Sequence, residues 1–283
     1  MKSLKCCKLN FLQWRIQPKY LLFLLFLVLG MWDIFHGFRD YASAIGYPMQ
    51  PWLLPLLPGM QSIFAMFLMG YLLIISDAPF RTKQQQFVLQ RAGKRSWIAG
   101  QLLYLFLCAV LFTLILWILS WIFILPEVEW KIESWGSALL TAARKNAHLG
   151  YAKVPISYSN IKNAMPAEAM AWFCGMLIGQ CFLMGEIVTL CNLYTRSGLG
   201  VAISTALILF SYLIKGNASG SGIYRFLLWV SPISWIDRSM LGHTSQYLPS
   251  FGYAAVMTVV LCLLLGGIIM GTIHRCNLDA DKE

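Results

Sequence analysis

The segment Ser76-Asp77-Ala78-Pro79-Phe80-Arg81-Thr82-Lys83-Gln84-Gln85-Gln86-Phe87-Val88-Leu89-Gln90-Arg91-Ala92-Gly93-Lys94-Arg95-Ser96 is a polar interruption between two strongly apolar runs. Its pattern predicts a short helix. Ser76 or Asp77 can cap orphan amide donors, Pro79 fits a first turn, Gly93 supplies a left-handed stop, and Ser96 can cap the helix that follows. On such a helix Phe80 and Phe87 lie seven residues apart on one side, flanked by Val88 and Arg91. Lys83, Gln84, Gln85 and Gln90 widen its polar face. A helix of this kind lies at a membrane surface rather than crossing the bilayer. Arg81, Lys83, Arg91, Lys94 and Arg95 against Asp77 alone place it in the cytoplasm by the positive-inside bias.

The surrounding composition fixes the solvent. Of 283 residues, 58% are hydrophobic and only 12% charged, with a mean hydropathy of +0.64. That is outside the range of soluble domains and indicates an all-α integral membrane protein. Eleven Trp, twelve Tyr and seventeen Phe suit two headgroup belts. The net charge of +10 raises the question of nucleic acid. The basic residues, however, sit in short loops between apolar runs and form no groove-sized patch, so no nucleic-acid partner is expected. The eight cysteines (Cys6, Cys7, Cys108, Cys174, Cys181, Cys191, Cys262 and Cys276) lie in apolar spans or their cytoplasmic ends and imply no disulfide framework. Cys6-Cys7 beside basic residues reads either as an acylation site or as two small apolar residues of an interfacial helix.

Working outward, residues 1–19 carry Lys2, Lys5, Lys8, Arg15 and Lys19 with Leu4, Cys7, Phe11 and Trp14 along one helical face. This is an amphipathic, membrane-surface pattern. Ala42-Ser43-Ala44 has the form of a signal-peptide cleavage site, but the preceding apolar run is long and Asp33 and Arg39 intervene, so an uncleaved first span is expected. Six spans in all are expected: about 20–38, 62–76, 97–125, 168–193, 199–214 and 251–273, set against the ~20 residues a bilayer requires. Lys and Arg number 13 in the segments assigned to the cytoplasm (1–19, 77–96, 192–199, 274–283) and 9 in the longer ones assigned outside (38–61, 126–167, 214–250). Both termini are therefore expected inside, in the cell membrane, with 77–96 a cytoplasmic loop and 126–167 an exterior one. Within the exterior loop, 134–149 reads as a helix capped by Ser134 and stopped by Gly150. Residues 224–236 are apolar but too short to span and are broken by Pro232, so they should form a re-entrant or interfacial helix.

Catalytic signatures are sparse. There is no phosphate-binding glycine loop, HExxH, zinc-spaced cysteine pair or nucleophile elbow, and neither a cofactor nor a metal is expected. Asp33, His36 and Asp40 share one face near the outer end of the first span, a spacing that could hold a metal but also suits an aqueous interface. Glu186 lies about 10 Å of helix inside the fourth span, on the face of Gly175, Gly179 and Thr189. It is either a substrate or proton site, or a structural carboxylate that is paired with a basic residue such as Arg196 or simply protonated. Two GxxxG patterns, Gly175 to Gly179 and Gly267 to Gly271, permit close helix packing within or between subunits.

This arrangement resembles the membrane permease subunits of type-2 ABC exporters. The resemblance rests on the amphipathic N-terminal helix, six spans with both ends inside, the basic helix between spans two and three, and the Pro-broken hairpin before span six. Its residues are Asp77-Ala78-Pro79-Phe80 with Arg91-Ala92-Gly93-Lys94, and Ser231-Pro232-Ile233-Ser234-Trp235. The match covers nearly the whole chain, 1–283, as one permease domain, although loop 126–167 is longer than the family's usual connection. The resemblance implies a non-enzymatic transport subunit that works as a homo- or heterodimer, in membrane lipid, with separate ABC ATPase subunits. It further implies that residues 78–92 couple to a cleft in the ATPase. Phe80 and Phe87 would be the anchors and Arg91 a charged contact, beside Val88 and the stop at Gly93. Two other classes stay open: an intramembrane enzyme using Glu186 or the Asp33/His36 pair, and a non-transporting membrane sensor or immunity protein.

Overall fold

The computed structural model describes residues 2–12, 14, 17–80, 85–131, 134–145, 147–152, 154–156, 158, 161, 164–195, 198–217, 222–242 and 248–274. Arg81, Lys83, Gln84, Arg196 and Cys276 lie outside them. Among the described residues the chain is all-helical, joined only by one isolated bridge between Met49 and Val128. Five helices are long and apolar enough to cross a membrane: α2 (Pro18–Ile45), α5 (Lys94–Ile122), α7 (Pro166–Thr195), α8 (Leu199–Asn217) and α10 (Phe251–Thr272). The chain is thus a multi-pass membrane protein. The expected second span is the shorter α3 (Gln61–Ile75), whose 15 residues rise about 22 Å. It is preceded by a buried 3-10 turn, Leu54–Gly59.

At one end of the bundle lie α1 (Lys2–Leu12) and α4 (Gln85–Ala92). Of the predicted face, Cys7 is buried and Phe11 and Trp14 pack against Tyr104 of α5, whereas Leu4 is exposed; Cys6 and Asn10 are buried as well. The reason is close approach: a Cβ on Gly100 of α5 would stand 2.7 Å from both Cys6 Cβ and Ser3 O, so only small side chains fit that crossing. The buried cysteine pair is therefore packing, as one of its two readings held. Gly93 has φ +82° and separates α4 from α5, as expected of a glycine stop. Ser96, by contrast, sits inside α5, which already begins at Lys94.

The opposite end is capped by folded loops. Trp52 Nε1 donates to Lys131 O (2.6 Å), and Gln50 Oε1 accepts from Lys131 N (2.9 Å), tying the loop after α2 to the loop after α5. The segment 126–167 is built around α6 (Gly136–Lys145), which starts at Gly136 (φ +74°) rather than at Ser134 and buries Ala138, Leu139, Ala142 and Ala143. Its turn back onto α2 is tight, because a Cβ on Gly37 would meet Tyr151 O at 2.1 Å. The Pro-broken segment folds as α9 (Gly222–Leu227) followed by 3-10 turns at Leu228–Val230, Pro232–Ile236 and Arg238–Met240. Trp235 is buried there, donating to Leu228 O (2.7 Å), while Trp172 Nε1 donates to Trp235 O (3.2 Å).

Candidate functional site

Two polar constellations stand out from the apolar bundle. The first surrounds the strap 76–80 that leads into α4. Gln101 of α5 reads the strap's backbone with both ends of its amide: Oε1 accepts from Phe80 N (3.2 Å) and Nε2 donates to Phe80 O (3.1 Å). The same Oε1 accepts from Asn10 Nδ2 of α1 (2.8 Å). Asn192 of α7 donates to Ser76 O (3.0 Å) and Ala78 O (2.7 Å). Lys19 of α2 forms an ion pair with Asp77. Three helices, α2, α5 and α7, therefore grip five residues of chain, and α1 braces Gln101 through Asn10, with Gln101 and Asn10 buried. Gln101 and Asn192 sit in spans, where an unpaired polar group is costly, and their contacts fill the strap's carbonyls at Ser76, Ala78 and Phe80, although Asn192 Oδ1 itself has no partner among the described residues.

This grip corrects the reading of Phe80. The residue precedes the helix, and its ring packs edge-on against Tyr104 (4.9 Å between centroids), leaving 4% of it exposed. Its amide and carbonyl are held by Gln101 and are not part of a helical ladder. Phe80 is thus an internal anchor, not a surface one, and it does not share a face with Phe87. Asp77 and Ser76 likewise do not cap α4, since Asp77 pairs with Lys19 and Ser76 Oγ donates to Leu73 O (2.9 Å).

On α4 itself the two faces are distinct. Val88, Leu89 and Ala92 pack partly against a small core formed by Cys6, Trp97, Ile98, Ile269 and Ile273. Phe87, Gln90, Arg91 and the following Gly93 face outward, and Phe87 is 67% exposed. Val88 therefore supports the helix from beneath, while Phe87 and Arg91 remain one turn apart on the open surface. The sequence identified the outward pair. It missed Gln101, Asn192 and Asn10, whose signal was their polarity inside otherwise apolar helices.

The second constellation is the contact between α7 and α10. Glu186 is 1% exposed, and its Oε2 has no hydrogen-bond partner among the described residues. Its Oε1 faces Gly266 so closely that a Cβ there would lie 2.9 Å away. Six residues earlier on α7, Gln180 Nε2 donates to Thr258 Oγ1 (2.9 Å), and Cys262 Sγ approaches Gly179 O at 3.7 Å. A Cβ on Gly179 would stand 2.8 Å from Thr258 Cγ2, so this glycine serves packing inside the subunit. Gly175, Gly267 and Gly271 meet no such neighbour. Arg196, the basic residue that could pair with Glu186, lies outside the described residues.

Asp33, His36 and Asp40 do not assemble. His36 Nδ1 lies 2.7 Å from Trp32 O and its ring stacks on Trp32, while Asp40 pairs with Arg39 and Asp33 is exposed. Among the described residues no three His, Cys, Asp or Glu side chains are placed to hold one metal ion. Comparison with protein-family models, curated proteins and solved structures finds no match to this chain.

Proposed function

We propose that the chain is the permease subunit of an ATP-driven exporter, in which α4 docks a separate ATPase and the strap 76–80 passes its movement to the bundle. In this reading α3 supplies the sixth crossing, both termini are cytoplasmic, and α1 lies along the inner membrane surface. The α6 end and the Pro-broken hairpin face outward. A second permease subunit completes the path. The observation that carries the reading is the division of labour around α4: an outward Phe87 and Arg91 above an inner face held to the bundle, with the entering strap gripped by three helices and braced by α1. An exposed aromatic beside an arginine on a membrane-surface helix is the residue pair that dominates protein interfaces. A helix that merely floats on headgroups would need no such rigid link to α1, α2, α5 and α7.

Glu186 fits the same reading as the ionisable group on the transport path, taking a proton or touching the substrate between α7 and α10. The intramembrane-enzyme alternative would need a second reacting group beside it. The experiment is purification of the tagged permease from its own membranes with Mg-ATP hydrolysis as the readout, comparing wild type with Phe87→Ala and Arg91→Glu. ATPase activity should accompany wild type and fall about thirtyfold with Phe87→Ala, the factor expected for losing one interface anchor of about 2 kcal/mol.

A further inference from the structure

A cavity of about 250 Å³ lies between α2, α3 and α5, close to the α1 end of the bundle. Its walls are almost wholly apolar and aromatic, including Trp14, Phe23, Leu27 and Phe112. Leu21 and Leu24, both on its rim, are exposed on the lateral surface of α2, so the cavity opens toward the bilayer and not along the bundle axis. An occupant must therefore arrive from the lipid phase.

Two phenols break the apolar lining. Tyr20 of α2 and Tyr71 of α3 are both buried, with hydroxyls that make no hydrogen bond among the described residues, and Tyr71, 1% exposed, is the deeper of the two. A buried phenol left unpaired is costly, and it can donate to any acceptor that enters. The neighbouring aromatic hydroxyl shows what the alternative looks like: Tyr104 Oη accepts from Trp14 Nε1 at 2.7 Å.

Depth narrows the acceptor. Tyr71 lies four residues before the end of α3 at Ile75, or about 6 Å along the helix. Trp14 stacks on Tyr20 (4.9 Å between centroids) at the same end, and Lys19 Nζ lies 5.3 Å from the centre of the Tyr20 ring. Aromatic rings beside a lysine at a helix end mark the headgroup level of a membrane protein. A hydroxyl about one turn deeper is at the level of the glycerol esters.

We propose that this cavity binds a glycerophospholipid, with one acyl chain between α2 and α5 and an ester carbonyl accepting the Tyr71 hydroxyl. Lys19 then stands where the lipid's phosphate passes. The site shares Lys19 with the grip on the strap, but its test reads lipid binding alone and needs no ATPase, so the two readings fail separately.

The test is native mass spectrometry of the purified full chain, titrated with dioleoyl phosphatidylglycerol and with its ether-linked analogue, which keeps the chains and phosphate but lacks the carbonyls. Wild type should hold the ester lipid about fivefold more tightly than the ether, the worth of one hydrogen bond. Tyr71→Phe should bind both equally, at the ether level. Ile115→Trp, which fills the cavity from its lipid side, should lose the tight site, with thermal unfolding in detergent confirming that it is folded. If Ile115→Trp does not fold, the Tyr71→Phe comparison decides alone. Equal affinity of wild type for ester and ether, or an ester preference that survives in Tyr71→Phe, overturns the proposal and leaves a cavity that holds water or detergent.

Discussion

Asp237 and Glu186 are both buried carboxyl groups, yet their surroundings are opposite. Asp237 Oδ2 meets Lys215 Nζ at 2.5 Å, and its Oδ1 accepts from Ser239 N (2.9 Å) and Ser239 Oγ (2.7 Å). Lys215 also donates to Pro58 O (2.7 Å), so one ion pair joins α8, the turn before α3 and the Pro-broken hairpin. Both oxygens of Asp237 are engaged. Glu186 has an oxygen with no partner, and it faces a glycine at which any side chain would press against its other oxygen. A carboxyl that a protein needs only for its shape is saturated in this way; one left unsatisfied within a packed helix contact is kept for something that comes and goes.

The largest effect should follow from breaking the saturated site. Lys215→Met strands the Asp237 carboxylate and should cost about 3–5 kcal/mol in detergent unfolding, whereas the double variant Lys215→Met/Asp237→Asn should recover a substantial part, because no buried charge is then left alone. A double variant as unstable as the single one would remove the distinction drawn between the two carboxyls. Acid provides a second probe of the same pair. Burial by itself raises the Asp237 pKa, but the Lys215 charge and the Ser239 hydrogen bonds outweigh it and hold the carboxyl below its ordinary value. The clamp's contribution is therefore complete above the unfolded value of about 3.9 and is lost as pH falls through the lower native one. Unfolding scans from pH 5 down to pH 2 should show this loss in wild type and not in Asp237→Asn.

A smaller loss is expected at the strap. Gln101→Leu leaves the Phe80 amide and carbonyl and the Asn10 amide without their partner and should destabilise by about 1–3 kcal/mol, read by the same unfolding measurement. Smaller again is Glu186→Gln, which keeps the shape and removes the charge. Folded protein should accumulate to within about 1 kcal/mol of wild-type stability, while ATP-dependent export in vesicles is lost. A destabilised Glu186→Gln that still transports would return Glu186 to the structural class of Asp237.

These contrasts also mark what the sequence could and could not convey. The apolar runs, the break at Pro232, the stop at Gly93 and the surface position of Phe87 were legible, because each is a local property of spacing or backbone preference. Phe80 was misread for the same reason: its seven-residue distance from Phe87 matches a helical face, but the grip of Gln101 on its backbone is a contact across 21 residues that no local period reveals. Lys215 with Asp237, and Asn192 with Ser76, are likewise set by which helix ends meet in space. A polar residue inside an apolar helix gave the location of each partner without its pairing. Glu186 was found by that same signal, and its unpaired state became visible only with α10 in place.

Phe80 and Phe87 carry the central claim, since the same residue type is internal at one position and outward at the other. The direct measurement pairs thermal unfolding with ATPase co-purification for Phe80→Ala, Phe87→Ala and Arg91→Glu. Phe80→Ala should cost about 3–5 kcal/mol of stability, as for a buried aromatic removed from a core. Phe87→Ala and Arg91→Glu should unfold like wild type within about 0.5 kcal/mol, as surface changes do, yet lose the ATPase and its Mg-ATP hydrolysis, Phe87→Ala by about thirtyfold. Retention of full ATPase activity by both outward variants, or its absence from wild type, would contradict α4 as the docking helix.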